Sequence, residues 1–209
     1  MFKMLPVSGP MNKPALIKKA LILEWILIAY NAAEGMASIL FGWLAGSIAL
    51  VGFGLDSVIE VSAAGILVWR LSHHGTEEEE NEKEKKALYF VGITFFLLAA
   101  YILYESGSKL LQHEMPERTI AGIIISILSL IIMPFLGLKK RDLAKKMGSR
   151  ALEADAVETL VCAYLSFTLL LGLGLNALFG WWWADPVAAL AMVYFIIREG
   201  WEAVEEARE

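Results

Sequence analysis

The sequence predicts an all-α, polytopic membrane protein with six transmembrane helices and both termini in the cytoplasm. Of its 209 residues, 57% are hydrophobic and 20% are charged, whereas ordinary soluble domains are about 45–50% apolar and about 25% charged. A helix that crosses a bilayer core of about 30 Å needs about 20 apolar residues, and the apolar residues fall into six blocks of about that length. These observations exclude a soluble enzyme and a disordered tail, and the single cysteine, Cys162, excludes a disulfide scaffold.

Short polar joints separate the predicted helices. Their bounds are Ala20–Leu44, Ile48–Leu71, Ala87–Leu111, Thr119–Leu138, Ser149–Phe179 and Pro186–Ala203. Gly46 and Ser47 favour a tight first turn, and residues 180–185 form the last joint. Asp185 before Pro186 is typical of an N-cap followed by the first helical residue. We expect the three tryptophans at 181–183 to lie at the level of the lipid headgroups.

The placement of basic residues predicts the orientation. All 18 Lys and Arg residues except Lys109 and Arg118 fall in the N-terminal arm, the joints after the second and fourth helices, or the C-terminus. The positive-inside rule puts those regions in the cytoplasm. We expect residues 1–209 to form a single transmembrane domain with neither a removable signal peptide nor a soluble domain.

Two polar segments, residues 73–86 and 139–146, are predicted to be cytoplasmic joints. The first could attract cations weakly through clustered acidic and histidine side chains, although a solvated loop is the simpler interpretation. The side chains concerned are Glu77, Glu78, Glu79, Glu80, His73 and His74.

Acidic residues inside the apolar segments are the main functional signal. A charged side chain near the bilayer centre costs at least about 2.5–3.5 kcal/mol, so those that persist usually face the bundle interior and mark a pathway. Asp56 and Glu60 lie one turn apart on helix two, and Glu158 and Cys162 do so on helix five. Antiparallel packing would place Asp56 opposite Cys162 and Glu60 opposite Glu158. Three carboxylates and a thiolate suit a divalent metal, and each ligand must lose its proton before the metal binds.

Other interpretations of these residues stay open at this point. The carboxylates could be protonated groups that hydrogen-bond neighbouring helices, and Cys162 could be a small apolar filler. Asp155 is an alternative fourth ligand, or a cap or gate at the cytoplasmic mouth. On helix one, Asn31 and Glu34 could support helix two or relay protons.

Two stretches carry a family resemblance. The first, NAAEGMASILFGWLAGSIALVGFGLDSVIEVSA, resembles the first two helices of the cation diffusion facilitator family of metal/proton antiporters. The second, ALEADAVETLVCAYLS followed by ADPVAALAM, is similar to helix five and the start of helix six. The family's DxxxD pattern falls on Asp56 and Glu60, and its HxxxD pattern falls on Glu158 and Cys162.

The resemblance implies a homodimer with one transport site per protomer, which moves divalent metal out of the cytoplasm against inward protons. Because histidine and aspartate are replaced on helix five, the resemblance leaves the metal open. A thiolate with carboxylates favours Zn²⁺ or Cd²⁺ over Mn²⁺, with Fe²⁺ and Co²⁺ as further candidates. The chain resembles a short subgroup without the family's cytoplasmic C-terminal domain, and its compact length is compatible with a bacterial inner membrane.

Two other classes of function compete with transport. One is an intramembrane enzyme with Cys162 as nucleophile and Glu158 as base, which lacks a histidine partner nearby in the sequence. The other is an accessory membrane protein whose acidic residues only join helices. No basic, aromatic-rich stripe suggests a nucleic-acid partner.

Overall fold

The structure is a computed structural model that describes residues 13–72 and 77–208, and this part of the chain forms six α-helices and no strand. Their bounds are α1 Lys13–Ala45, α2 Ile48–Ser72, α3 Glu77–Gln112, α4 Ile120–Met147, α5 Arg150–Phe179 and α6 Ala184–Glu206. Four of them are long and apolar enough to cross a membrane: α2, α4, Tyr89–Gln112 of α3 and Leu152–Phe179 of α5. The predicted all-α, multi-pass architecture is confirmed, whereas the orientation of the termini stays a prediction.

Five of the six helices, all but α5, are longer than the apolar segments that predict them. The predicted joint at 139–146 is wrong, because these residues form the last two turns of α4. Lysine and arginine are good helix formers, and hydropathy marks only the part of a helix that matches the bilayer. The helix ends at Gly148, which has φ 63°, and Ser149 caps α5 by accepting from the Leu152 amide.

The predicted joint at 73–86 is also partly helical, since α3 begins at Glu77. His73 and His74 of the proposed cation-attracting loop lie outside the described residues. The side chains of Glu77, Glu78, Glu79 and Glu80 lie outside them as well. That hypothesis therefore stays a prediction.

Helices pack mainly in pairs, α1 on α2, α4 on α5 and α3 on α6. Glycines bring α1 and α2 into direct backbone contact: a Cβ on Gly42 would lie 2.8 Å from the Val51 amide nitrogen, and one on Gly54 would lie 2.8 Å from that of Ile39. Small residues allow this close approach between membrane helices. Gly46 has a different role, because its φ of 63° forms the turn between α1 and α2.

The outer surface of the bundle is apolar. Large exposed hydrophobic side chains occur on every helix, including Trp43, Phe90, Ile120, Leu178 and Tyr194. A surface of this kind suits contact with lipid rather than water. Trp181 and Trp183 stack with ring centroids 5.1 Å apart, and their position at the headgroup level stays a prediction.

The prediction that Asp185 is the N-cap of the last helix is wrong. Asp185 does not cap α6, which begins at Ala184 with Trp183 as its N-cap residue. Its buried carboxylate instead accepts from the Ile48 amide at 2.9 Å and from the Ser47 hydroxyl. The first amides of a helix have no partner within that helix, and the positive end of its dipole attracts a carboxylate. Asp185 of α6 therefore caps α2 from across the bundle.

We expect Asp185→Ala to lower the free energy of unfolding by about 1–3 kcal/mol, because the Ile48 amide and the Ser47 hydroxyl lose a buried partner. Unfolding of the purified protein in detergent measures this change. Asp142→Ala is the matched control, since Asp142 is exposed and pairs only with Lys146 on its own helix. Equal stability of the two variants would contradict the capping role.

Candidate metal centre

Three predicted ligands come together in the interior of the bundle. The ligand atoms of Asp56 and Glu60 on α2 and of Cys162 on α5 all lie within 4.8 Å of one another. All three side chains are buried, with 3%, 4% and 1% of their surface exposed. The i, i+4 spacing places both carboxylates on one face of α2, and that face packs against α5. Within the described ranges this is the one group of three such residues close enough to share a metal ion.

Glu158 lies beside this cluster and not within it. It is half-buried on α5, one turn before Cys162, and its charge interacts with those of Asp56 and Glu60. Neither of its carboxylate oxygens lies within 4.8 Å of the ligand atoms of all three clustered residues. The structure therefore gathers three of the four predicted donors and leaves the fourth adjacent.

Helix α1 supports the carboxylates of α2. The Nδ2 of Asn31 donates to Oε2 of Glu60 at 2.8 Å, while its Oδ1 is buried without a partner. Glu34 accepts from the Tyr30 hydroxyl at 2.8 Å and from the Ser57 hydroxyl at 3.2 Å. The predicted contact of Asn31 and Glu34 with helix two is therefore present.

Lys140 is a central residue that the sequence analysis places in a solvent-exposed joint. Its side chain is fully buried, and its ammonium lies 3.1 Å from Oε2 of Glu24 and 3.2 Å from the hydroxyl of Thr159. It also forms an ion pair with Asp155. This group, which we call the Lys140 triad (Glu24, Lys140 and Asp155), joins α1, α4 and α5. Asp155 is thus paired with a lysine rather than gathered with the clustered ligands.

A signal for Lys140 is present in the sequence. Lys140 lies at helical spacing from Met133, Leu136 and Ala144, which are all buried on α4. A basic residue in register with an apolar stripe indicates a buried ion pair when an unpartnered acidic residue, here Glu24, lies in another helix.

Glu199 of α6 is a second residue that the sequence analysis misses. It is 8% exposed, its Oε1 has no partner, and its charge interacts with those of Asp56, Glu60 and Glu158. The signal was its helical spacing from the buried Met192 and Ile196. The neighbouring Arg198 is exposed and pairs with Glu202. Arg198 is one of the basic residues that predict a cytoplasmic position for this turn.

The interior carries an excess of acidic groups. Six carboxyl side chains in the described part of the chain are buried, against one basic side chain, Lys140. The six are Glu24, Glu34, Asp56, Glu60, Asp185 and Glu199. Buried charges of one sign are costly unless protons or a bound cation balance them. The geometry therefore suits reversible binding of protons and a cation.

These features define a class of protein: a multi-pass helical membrane protein with an acidic interior that contains metal-ligand side chains. Residues 84–209 match the family model described as the cation efflux transmembrane domain. The chain belongs to this cation efflux, or cation diffusion facilitator, family, as the sequence predicts.

Curated relatives extend the match beyond those residues. Transmembrane protein 163 from Xenopus laevis is 31% identical over 154 residues, which cover 74% of this chain and 54% of the relative. The cation-efflux pump FieF from Klebsiella pneumoniae is 27% identical over 190 residues, which cover 83% of this chain and 63% of the pump. A match of that length necessarily includes α2 and the first half of α5. The chain thus spans only about half to two thirds of the length of these relatives.

We expect Lys140→Met to lower the free energy of unfolding by about 3–5 kcal/mol, because it leaves Glu24 and Asp155 buried without a cation. Thermal unfolding in detergent measures the effect. The triple variant that also carries Glu24→Gln and Asp155→Asn removes the unpaired charges and should recover most of the loss. Lys146→Met, which breaks only an exposed pair, is the control. A Lys140→Met protein as stable as this control would refute the buried triad.

Proposed function

We propose that the protein exports a divalent metal cation from the cytoplasm in exchange for protons. Its substrate site lies between α2 and α5, where Asp56, Glu60, Glu158 and Cys162 are the ligands. The observation that carries the proposal is the approach of three ligand atoms, from two different helices, to within 4.8 Å in a buried position. Membership of the cation efflux family supports it, and one relative carries the name of a cation-efflux pump.

Zn²⁺ is the substrate that this donor set favours. A thiolate with carboxylates forms a mixed sulfur and oxygen site of the kind that Zn²⁺ accepts in tetrahedral geometry. Cd²⁺ shares the preference for sulfur, whereas Mn²⁺, Fe²⁺ and Co²⁺ gain less from Cys162. Glu158, one turn from Cys162 toward the start of α5, is placed to meet the ion on its way to the three clustered ligands.

Proton exchange follows from the chemistry of the ligands. Carboxylates and a thiol bind the metal only after they lose their protons, so protons and metal compete for one site. High proton concentration on the outer side then favours release of the metal, and low proton concentration in the cytoplasm favours its binding. An inward proton gradient thereby drives metal outward as the bundle alternates between its two openings.

The Lys140 triad is placed to close the cytoplasmic path. Asp155 precedes Cys162 by two turns on α5, toward the end predicted to be cytoplasmic. Separation of Asp155 from Lys140 would free a carboxylate on the route to Glu158, and its return would exclude water. Asp155 is thus proposed as a gate residue, while Glu34 and Asn31 support the site from α1.

The proposed assembly is a homodimer, as the resemblance to the family implies, and the proposed location is a bacterial inner membrane, with which the compact length is compatible. The accessory-protein alternative rests on the hydrogen bonds that Glu34 and Glu60 form with α1 and α2. An enzymatic role for Cys162 finds no support, because His113, the one histidine described, is exposed and contacts Trp182.

We expect purified protein in proteoliposomes to take up Zn²⁺ when a pH gradient is imposed, and Glu60→Gln and Glu158→Ala to reduce this flux to the leak of empty vesicles. Both variants remove an ionisable ligand at the proposed site. A fluorescent zinc indicator inside the vesicles measures the initial rate. Glu105→Gln is the matched control, since Glu105 is a partly buried acid on α3 and should leave flux unchanged.

The outcomes separate the competing functions. Full flux in Glu60→Gln would show that the carboxylate of Glu60 on α2 is not part of the transport site. A folded wild-type protein that moves none of Zn²⁺, Cd²⁺, Mn²⁺, Fe²⁺ and Co²⁺ would favour the accessory function instead.

We expect Cys162→Ser to change metal preference rather than abolish transport. The hydroxyl stays neutral and is a harder donor, so affinity for Zn²⁺ and Cd²⁺ should fall by about tenfold or more relative to Mn²⁺. Competition between Zn²⁺ and Mn²⁺ in the same vesicle assay measures the ratio. An unchanged ratio would show that Cys162 is only a packing residue.

A further inference from the structure

We propose that Asn31 is itself a ligand of the transported cation, so that its Oδ1 joins Asp56, Glu60 and Cys162 to complete a four-donor site. This inference rests on the proposed function, because it concerns the same site. It assigns to α1 a direct part in binding the substrate, beyond its support of α2.

The position of the Asn31 amide carries the inference. The side chain is fully buried, and its Nδ2 donates to Oε2 of Glu60 at 2.8 Å. Because Nδ2 and Oδ1 are bonded to the same carbon atom, Oδ1 lies in the neighbourhood of the Glu60 carboxylate, which is one of the clustered ligands. That oxygen has no hydrogen-bond partner. A buried acceptor without a partner is uncommon and calls for a donor or a cation.

An amide oxygen is chemically suited to be the fourth donor of the site. It is a neutral oxygen ligand that divalent cations accept, and it needs no deprotonation. Asp56, Glu60 and Cys162 carry three negative charges when all are ionised, so a divalent ion leaves the site at −1 with Asn31 as the fourth donor. With Glu158 as the fourth donor the site would be at −2, which is less favourable in a low-dielectric interior.

Asn31 and Glu158 then bind the cation at different stages of transport. Asn31 is buried and contacts Glu60 of the cluster directly, whereas Glu158 is half-buried and outside the 4.8 Å limit. Glu158 then binds the ion during entry from the cytoplasmic side, and Asn31 holds it in the closed bundle. Asn31 also adds an oxygen donor to a site with a thiolate, which moderates the preference for the softest cations.

The test uses the full chain purified in detergent and the metals alone. Binding of Zn²⁺ is measured by calorimetry, and the visible absorption of bound Co²⁺ reports the number and type of atoms around the metal. We expect Asn31→Ala to weaken Zn²⁺ binding by about tenfold or more, which loss of a residue that only orients a ligand could also do, and to change the Co²⁺ absorption bands, which such a loss would not do. Asn31→Asp, which keeps an oxygen at this position, should retain a four-donor spectrum.

Asn176→Ala is the matched control. Asn176 is also a buried asparagine, but its Nδ2 donates to the backbone oxygen of Pro116 at the far end of α5. It should leave both affinity and spectrum unchanged. If Asn31→Ala does not fold, as judged by size-exclusion and thermal unfolding, Asn31→Leu and Asn31→Ser serve in its place.

The Co²⁺ spectrum separates a ligand from a positioning residue. A weakened affinity with an unchanged spectrum would show that Asn31 only orients Glu60, and an unchanged affinity would show no role in binding; either result overturns the inference. Failure of the proposed function looks different, because the wild type would then bind no metal or Glu60→Gln would bind it as the wild type does.

Discussion

The structure depends on how a membrane interior accommodates charge. Away from water, a carboxylate is stable only beside a cation, a proton or strong hydrogen-bond donors. The described interior contains six buried carboxyl groups and a single buried ammonium, so most of these groups need something other than a basic side chain. The positions of the helices reflect how each carboxyl group is satisfied.

The polar groups lie in three layers along the bundle. At one end Lys140 forms ion pairs with Glu24 and Asp155. At the other end the first amides of α2 satisfy Asp185. The middle layer holds Asp56, Glu60 and Cys162. At a rise of about 1.5 Å per residue it lies about 10 Å from Asp155 along α5 and about 12–18 Å from Ile48 along α2. Protein donors contact the carboxylates of the outer layers, whereas in the middle layer Glu60 accepts one hydrogen bond from Asn31 and no basic side chain is buried beside it in the described part of the chain. This is the layer in which a mobile cation is useful.

Features within one helix could be predicted from the sequence more fully than features between helices. Apolar blocks predict the spans, and the i, i+4 spacing predicts that Asp56 and Glu60 share a face. Antiparallel packing of α2 and α5 predicts the approach of Cys162 to Asp56, whereas the exact position of Glu158 beside the cluster depends on the depth of one helix against another, which side-chain packing decides. The same reason explains Lys140 and Asp185: each looks like a joint residue in its own segment, and its buried partner lies on a helix more than 100 residues away. A basic residue near an apolar segment also predicts a cytoplasmic position. A buried lysine such as Lys140 is therefore assigned to the cytoplasm by mistake.

The packing of the helices also indicates where motion costs least. Gly42 and Gly54 lock α1 to α2 through backbone contacts, and Asn31 ties the same two helices at the level of the cluster. Helix α2 packs much less extensively on α5 than on α1, and the cluster straddles that smaller contact. A shear between the α1–α2 pair and the α4–α5 pair would therefore separate Cys162 from Asp56 and Glu60 while Asn31 stays with Glu60.

The Lys140 triad crosses the same boundary, since Glu24 belongs to α1 and Asp155 to α5. One displacement would thus separate the ion pair and the proposed metal ligands together, which would link access to the proposed site with the binding of a cation there.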